Sequence, residues 1–281
     1  AVMLCTYMVI VVMSVMGGFL NILRSSAQTL SGHIAIYSDL AGFPHYEKLL
    51  TELRKLPEVE AATPLIHAYG LVNLPSQYGG DRILTIQAYG VRPMELQHVT
   101  QYEGYWSTED LLKLVERQYG DVNQLTPEER QAYEQTRQQI GELDLKEMAM
   151  TLQPPEAWGD LSGVVIGIHV NTDSMRGPGG EYDIGNSAIP RKITLTVPPI
   201  TQRGTLLEPS VRKLMVINEF KSGLYEIDSS RVYVPFDLLQ EMLHMNATPQ
   251  VDMETGEKTG KMLPARESEI LIKGKSNAKG Q

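Results

Sequence analysis

The chain is predicted to be an α+β protein, with an N-terminal apolar helix leading into an αβ part that carries an inserted β-rich part. Three observations predict this. The first twenty residues, "AVMLCTYMVIVVMSVMGGFL", hold no charge. Residues 33–92 run in a β-α-β-β order around one amphipathic helix. From Leu161 onward, short apolar runs are divided by glycine- and proline-rich loops, and a last such run lies at 268–274.

The apolar stretch is about 30 Å long at about 1.5 Å per residue, one hydrocarbon thickness, and shows no polar stripe. It is therefore expected to be a transmembrane helix. Ser14 and Gly18 lie four apart on one face, a spacing of small residues that admits a second membrane helix; the Gly17-Gly18 pair serves equally as a loosened helix end. A secretory leader cut at Ser25 to Ala27 is the rival reading. It requires a shorter apolar core close to the cut, whereas here the run is long and Arg24 intervenes. Phe19, Leu23, Ala27 and Leu30 continue the helical spacing as far as Gly32, a candidate cap, so residues 1–31 form one unit. The single cysteine, Cys5, excludes an intrachain disulfide, and Leu4 before it excludes a lipoprotein signal. The chain starts at Ala1 and ends in "GKSNAKGQ", and reads as a fragment of a longer protein.

Residues 32–100 form the first segment of the αβ part. "HIAIY" (33–37) alternates as a strand, and "HYEKLLTELRKL" (45–56) places Tyr46, Leu49, Leu50, Leu53 and Leu56 on one helical face before Pro57. Strands follow at 59–73 and 82–92 around "SQYGGD". Residues 101–157 are expected to be a peripheral helical hairpin. Its second helix begins with Thr126, Pro127 and Glu129 as a capping box, and its apolar stripe (Ala132, Tyr133, Ile140) is thin. Residues 158–245 form the β-rich part, with strands at 163–170, 192–197, 213–220 and 231–235 and a short helix at 236–245, barrel-like or sandwich-like. Residues 246–281 hold an exposed loop and a strand that returns to the first sheet.

Composition excludes several functions. A net charge of −9 and the absence of a dense Lys/Arg cluster argue against nucleic-acid binding. The six histidines show no i,i+4 pair, so no metal site is expected. "TGEKTGKM" fails as a phosphate loop at Thr255 and at Met262, and no G-x-S-x-G elbow occurs. "NTDSMRGPGGEYD" lacks calcium-ligand spacing and reads as a solvated loop. In "FKSGLYEIDSSRVYVP" (220–235), Glu226 and Asp228 have no base nearby. With Gly223 and Ser229 they suit a turn that holds two strands, not a catalytic pair. No catalytic residue and no cofactor is expected.

Several stretches occur together in order: "VMSVMGGF", "LRKLPEVEAATPLI", "TIQAYGVRP", "SGVVIG", "VINEFKSGLYEIDSSRVYVP" and "SEILIKG". In these the chain resembles lipoprotein-releasing (Lol-type) ABC transporter permeases, within the macrolide-exporter and FtsX-like permease family. The pattern F-x-S-G-x-Y-E-x-D before "VYVP" is the most specific element. The resemblance lapses at 101–157 and 171–190. It implies that residues 1–23 are the first of four membrane helices and that the rest is a periplasmic domain, with an αβ porter-like part and an inserted β-rich sabre-like part. It implies a non-catalytic permease of the inner membrane, driven by a cytoplasmic ATP-binding subunit and paired with a second permease copy or paralogue. Its substrate would be a lipoprotein passed to a periplasmic carrier. A carrier-contact hook would then lie at 198–212, with Pro199, Thr201, Arg203, Leu206, Leu207 and Pro209 as its candidate residues; an ordinary hairpin loop is the plain alternative. Efflux by a macrolide-exporter-type permease, or a secreted binding protein or enzyme behind a cleaved leader, are the other functions considered.

Overall fold

In the computed structural model, residues 2–38, 42–199, 205–251 and 258–275 are described. Helix α1 (Val2–Ser31) is followed by β1 (Ile34–Tyr37), β2 (Phe43–Pro44), α2 (Tyr46–Leu53), β3 (Val59–Pro75) and β4 (Asp81–Val91). Four helices come next: α3 (Pro93–Val99), α4 (Thr108–Tyr119), α5 (Pro127–Gly141) and α6 (Leu145–Thr151). Then come β5 (Gly163–Gly167), β6 (Lys192–Val197), β7 (Ser210–Phe220), α7 (Tyr225–Asp228), β8 (Arg231–Pro235) and α8 (Phe236–Met242). The chain closes with β9 (Thr248–Val251), β10 (Lys258–Leu263), β11 (Arg266–Glu267) and β12 (Glu269–Gly274).

Eight strands make one sheet in the order β1-β12-β3-β4-β8-β5-β7-β6, and β6 also pairs with β3. That second pairing closes a ring of six strands, while β12 and β1 extend from the first half of β3. The final strand does return to the first sheet, with Leu271 opposite Thr63 and Ala35. The strands of the αβ part and of the β-rich part therefore share one sheet, joined by the parallel pairing of β4 with β8 (Ala88 opposite Val232).

Apolar residues alternate between two cores on opposite sides of these strands. Val164, Ile166, Leu214, Val216, Val232, Val234, Ile270 and Ile272 fill one, which α2 and α8 extend through Leu50, Phe236 and Leu239. Val165, Met215, Ile217, Tyr233 and Leu271 face the other, covered by α3 and α6. Burial on both sides explains why runs such as "GVVIG" show no polar alternation. On α2 the buried face is narrower than expected: Leu49 is exposed, and Leu56 lies exposed beyond the helix end.

The peripheral-hairpin expectation for 101–157 needs correction. The Thr126–Glu129 capping box is present, and Ser107 and Asp110 form a second one at the start of α4. The α4–α5 pair is peripheral, with one buried side chain in each helix, Val115 and Tyr133. The flanks are core: Tyr102, Trp106, Leu145, Met148, Ala149 and Leu152 are buried against the sheet. Asn218 secures them, since its Nδ2 donates to the carbonyls of Trp106 (3.0 Å) and Leu145 (2.8 Å) while its Oδ1 accepts from Trp106 N (3.0 Å). The β5–β7 register slips between Val164 and Val165, which face Val216 and Asn218 and leave Ile217 without a partner. Such a bulge re-aims the next side chain, here Asn218 toward Trp106.

Two loop expectations also change. Residues 246–263 are not only a loop, because β9 and β10 pair as a hairpin. The 171–190 segment starts inside the protein: Asp173 is buried and accepts from Ser76 Oγ (2.8 Å), Gln77 N (2.9 Å) and Arg191 Nη1 (2.8 Å). The stretch 220–235 is structural, as expected, although β7 and β8 are not neighbours because β5 lies between them. Gly223 has φ +88°, and the buried Asp228 carboxylate accepts from Ser222 N (2.7 Å), Ser222 Oγ (2.7 Å) and Gly223 N (3.2 Å). The Asp228 carbonyl accepts from the N–H groups of His169 (3.0 Å) and Val170 (3.1 Å), pinning the end of β5.

Three other acids lie buried, Glu219, Glu267 and Glu269. Glu219 accepts from Trp106 Nε1 (2.7 Å), Ala188 N (2.8 Å) and Asn171 Nδ2 (2.9 Å); burial nonetheless pushes its carboxyl up to about 7. Glu267 is 0% exposed, and both carboxyl oxygens lack a partner among the described residues. Burial, aided by the charge of Glu47, pushes Glu267 up to about 9.

Trp106→Ala is expected to cost about 3–5 kcal/mol, because it empties core volume and bares Glu219. Tyr133→Ala, which loosens the seam between α5 and Tyr119 of α4, should cost less than half as much; equal losses in urea melts would place α5 in the core. The folded carboxyl of Glu267 is raised from 4.5 to about 9. The stability it contributes is thus complete below about pH 4.5 and is lost as pH rises toward 9. Glu267→Gln, which mimics the neutral acid, should raise the melting temperature by several degrees at pH 8 and scarcely change it at pH 4.5. The opposite pH order would overturn the assignment.

Candidate functional site

The candidate hook is the connection between β6 and β7, which pair antiparallel up to Val197 opposite Ser210. Two paired strands give the loop a rigid base. Pro199 is buried, and its carbonyl accepts from Leu207 N at 2.9 Å, drawing the two ends of the loop together. Leu206 is 66% exposed and Leu207 42%, and Pro209 is exposed beside them. Thr201 and Arg203 lie outside the described residues. Below the loop, Leu71, Thr196 and Val211 stand in one cross-strand row, with Leu71 and Val211 exposed. Exposed Tyr69 stands two residues from Leu71 on β3, on the same face. This apolar strip on the outer wall of the ring was not among the sequence-predicted sites. Its signal was the alternation of Tyr69 and Leu71 with the buried Gly70 and Val72.

Ser14 and Gly18, the candidate helix-packing pair, are exposed, and a Cβ added at Gly17 or Gly18 would meet nothing within 4 Å. The described side chains of α1 are exposed, among them Tyr7, Met8, Ile10, Val12 and Met16. Among the described residues no helix is long and apolar enough to cross a membrane. A membrane crossing by residues 1–23 is thus not shown. The end of α1 is fixed to the sheet: Gly32 has φ +63°, and a Cβ there would lie 2.8 Å from Val99 Cγ1 and 3.0 Å from the Ile272 carbonyl. His33 N then donates to the same carbonyl at 3.0 Å.

A notch lies beside the loop. Strand β12 covers one edge of β3 as far as Leu65, and β6 takes over that edge at Leu71. Between them opens a groove of about 480 Å³, lined by Tyr37, His67, Ala68, Tyr69, Pro198, Leu243, Met245 and Glu269. The His67 ring stands 5.0 Å from that of Tyr69, nearly edge-on, and stacks at 4.8 Å on Tyr89. His67 Nε2 is buried without a partner among the described residues, and burial holds its basicity below the ordinary value. Burial raises the Glu269 carboxyl, while a hydrogen bond from Tyr37 and the charge of Arg231 pull it back. Among the described residues no cluster of three or more His, Cys, Asp or Glu is placed to hold a metal.

No family model matches the chain, and no curated protein matches it. Among solved structures it is similar to the extracellular domain of the noncanonic ABC-type transporter YknZ from Gram-positive bacteria. The two share 11% identity over 86% of this chain and 82% of that chain, with a TM-score of 0.36. An overlap of that quality leaves the family of this chain open.

Proposed function

We propose that this chain is the periplasmic domain, with the first membrane helix, of an inner-membrane ABC transporter permease of the lipoprotein-releasing kind. The observation that carries this reading is the loop after β6: two exposed leucines on a rigid two-stranded base, at the position where the sequence resemblance implies a carrier hook. The long helix of exposed apolar side chains supports a membrane attachment. Residues Ser25 to Ala27 lie within α1, so the backbone at the rival cleavage site is helical and not extended. On this reading the chain has no chemistry of its own. A cytoplasmic partner hydrolyses ATP, a second permease copy or paralogue completes the membrane part, and a periplasmic carrier receives the lipoprotein. A second reading, efflux by a macrolide-exporter-type permease, is favoured by the notch alone, since a pocket of that size suits a small molecule.

The test is the double variant Leu206→Ser, Leu207→Ser in the assembled transporter. Burying a leucine is worth about 1.5–3 kcal/mol, so losing two should weaken carrier binding at least about tenfold. Lipoprotein release to the carrier should fall accordingly, with a melting temperature within about two degrees of the parent. A destabilised variant that still releases lipoprotein at the parental rate would sink the hook reading. The 281-residue chain alone should show no ATP turnover; turnover that follows the pure protein would overturn the permease reading.

A further inference from the structure

The geometry points to the notch between β12 and β6 as a binding site for a small apolar organic cation. This inference does not depend on the transport reading. The walls are of two kinds. Ala68, Pro198, Leu243 and Met245 supply aliphatic surface, and Tyr37, His67 and Tyr69 supply aromatic rings. An acidic group stands among them, the carboxyl of Glu269. Aromatic faces and a carboxylate both favour positive charge, and aliphatic walls favour a guest that sheds its water readily. Among the described residues, His67 is the only lining side chain that can carry positive charge, and its burial favours the neutral ring.

The positive charge nearest Glu269 in the surrounding sheet is already engaged. Arg231 lies 4.1 Å above the Tyr89 ring, and its guanidinium donates to the hydroxyls of Tyr89 (3.2 Å) and Tyr233 (3.3 Å). Tyr89 itself stacks on His67, so an aromatic layer stands between the arginine and the notch. An anionic guest would meet the Glu269 carboxyl without a lining cation to offset it. A neutral apolar guest would leave the charge of that carboxyl offset only by the Tyr37 hydrogen bond and by Arg231 behind the aromatic layer.

The cavity of about 480 Å³ lies in the range that takes a molecule of a few rings. Its origin is the gap in the β3 edge. Ser268 Oγ accepts from His67 N at 2.7 Å and so ends the β12 pairing, and the next covered position is Leu71. The notch is therefore held open by backbone pairing on both sides.

The test uses tetraphenylphosphonium and tetraphenylborate, a cation and an anion of nearly the same shape, titrated calorimetrically into the full chain. The parent protein should bind the phosphonium at least about tenfold more tightly than the borate. Glu269→Gln should remove that preference, and Tyr69→Ala, at an exposed ring, should weaken phosphonium binding severalfold without altering the melt. Adsorption of a given ion to α1 is common to the three proteins and cancels when the variants are compared with the parent. Equal binding of the two ions, or phosphonium binding unchanged in both variants, would overturn the inference. If Glu269→Gln fails to fold, the Tyr69→Ala result decides alone.

Discussion

Strand β3 is the constraint on which the rest of the structure depends. Its 17 residues pair with β12 over the first half, with β4 over the second, and with β6 near the end. One strand thus serves an open sheet and a closed ring. Its alternation must then satisfy both: Ile66 and Val72 enter one core, and Leu65 the other. A slip of one residue would turn every one of these side chains to the wrong face, in both halves together.

The second core depends on a polar clamp and not on apolar packing alone. Asn218 and Glu219 bring Trp106 and the start of α6 down onto β7, through hydrogen bonds that leave few lone pairs unused. Shielded polar groups of this kind add little net stability when paired and cost much when left buried without a partner. They specify one placement of the 101–107 and 145–152 segments over others of similar hydrophobicity. The α4–α5 pair can vary beyond that anchor without disturbing the sheet.

Local signals in the sequence were largely legible. The strands at 163–167, 192–197 and 231–235, the caps of α5 and the return of 268–274 follow from period and turn chemistry that act within a few residues. What escaped was non-local. Nothing near Phe220 or Arg231 announces that β5 separates β7 from β8, since that order is set by strands 50 residues or more away in sequence. The β9–β10 hairpin is polar enough to read as loop, and α3 and α6 are too short for a periodic signal. The notch is illegible for the same reason, because it exists only where three distant strands fail to overlap. The exposure of Leu206 and Leu207 was only half legible, because an adjacent leucine pair in a loop can also fold back onto the strands beneath it.

The junction at Gly32 has a mechanical consequence. Between the last residue of α1 and the first of β1 stand only Gly32 and His33, and both are held against the Ile272 carbonyl. A joint so short has no slack. Helix α1 spans about 45 Å over its 30 residues, so a tilt of about 10° at the sheet displaces its far end by about 8 Å. The converse holds as well. A force applied at the far end arrives at β1 and β12 as a torque with long leverage, and β1 is the edge of the sheet, where sliding disturbs the fewest pairings.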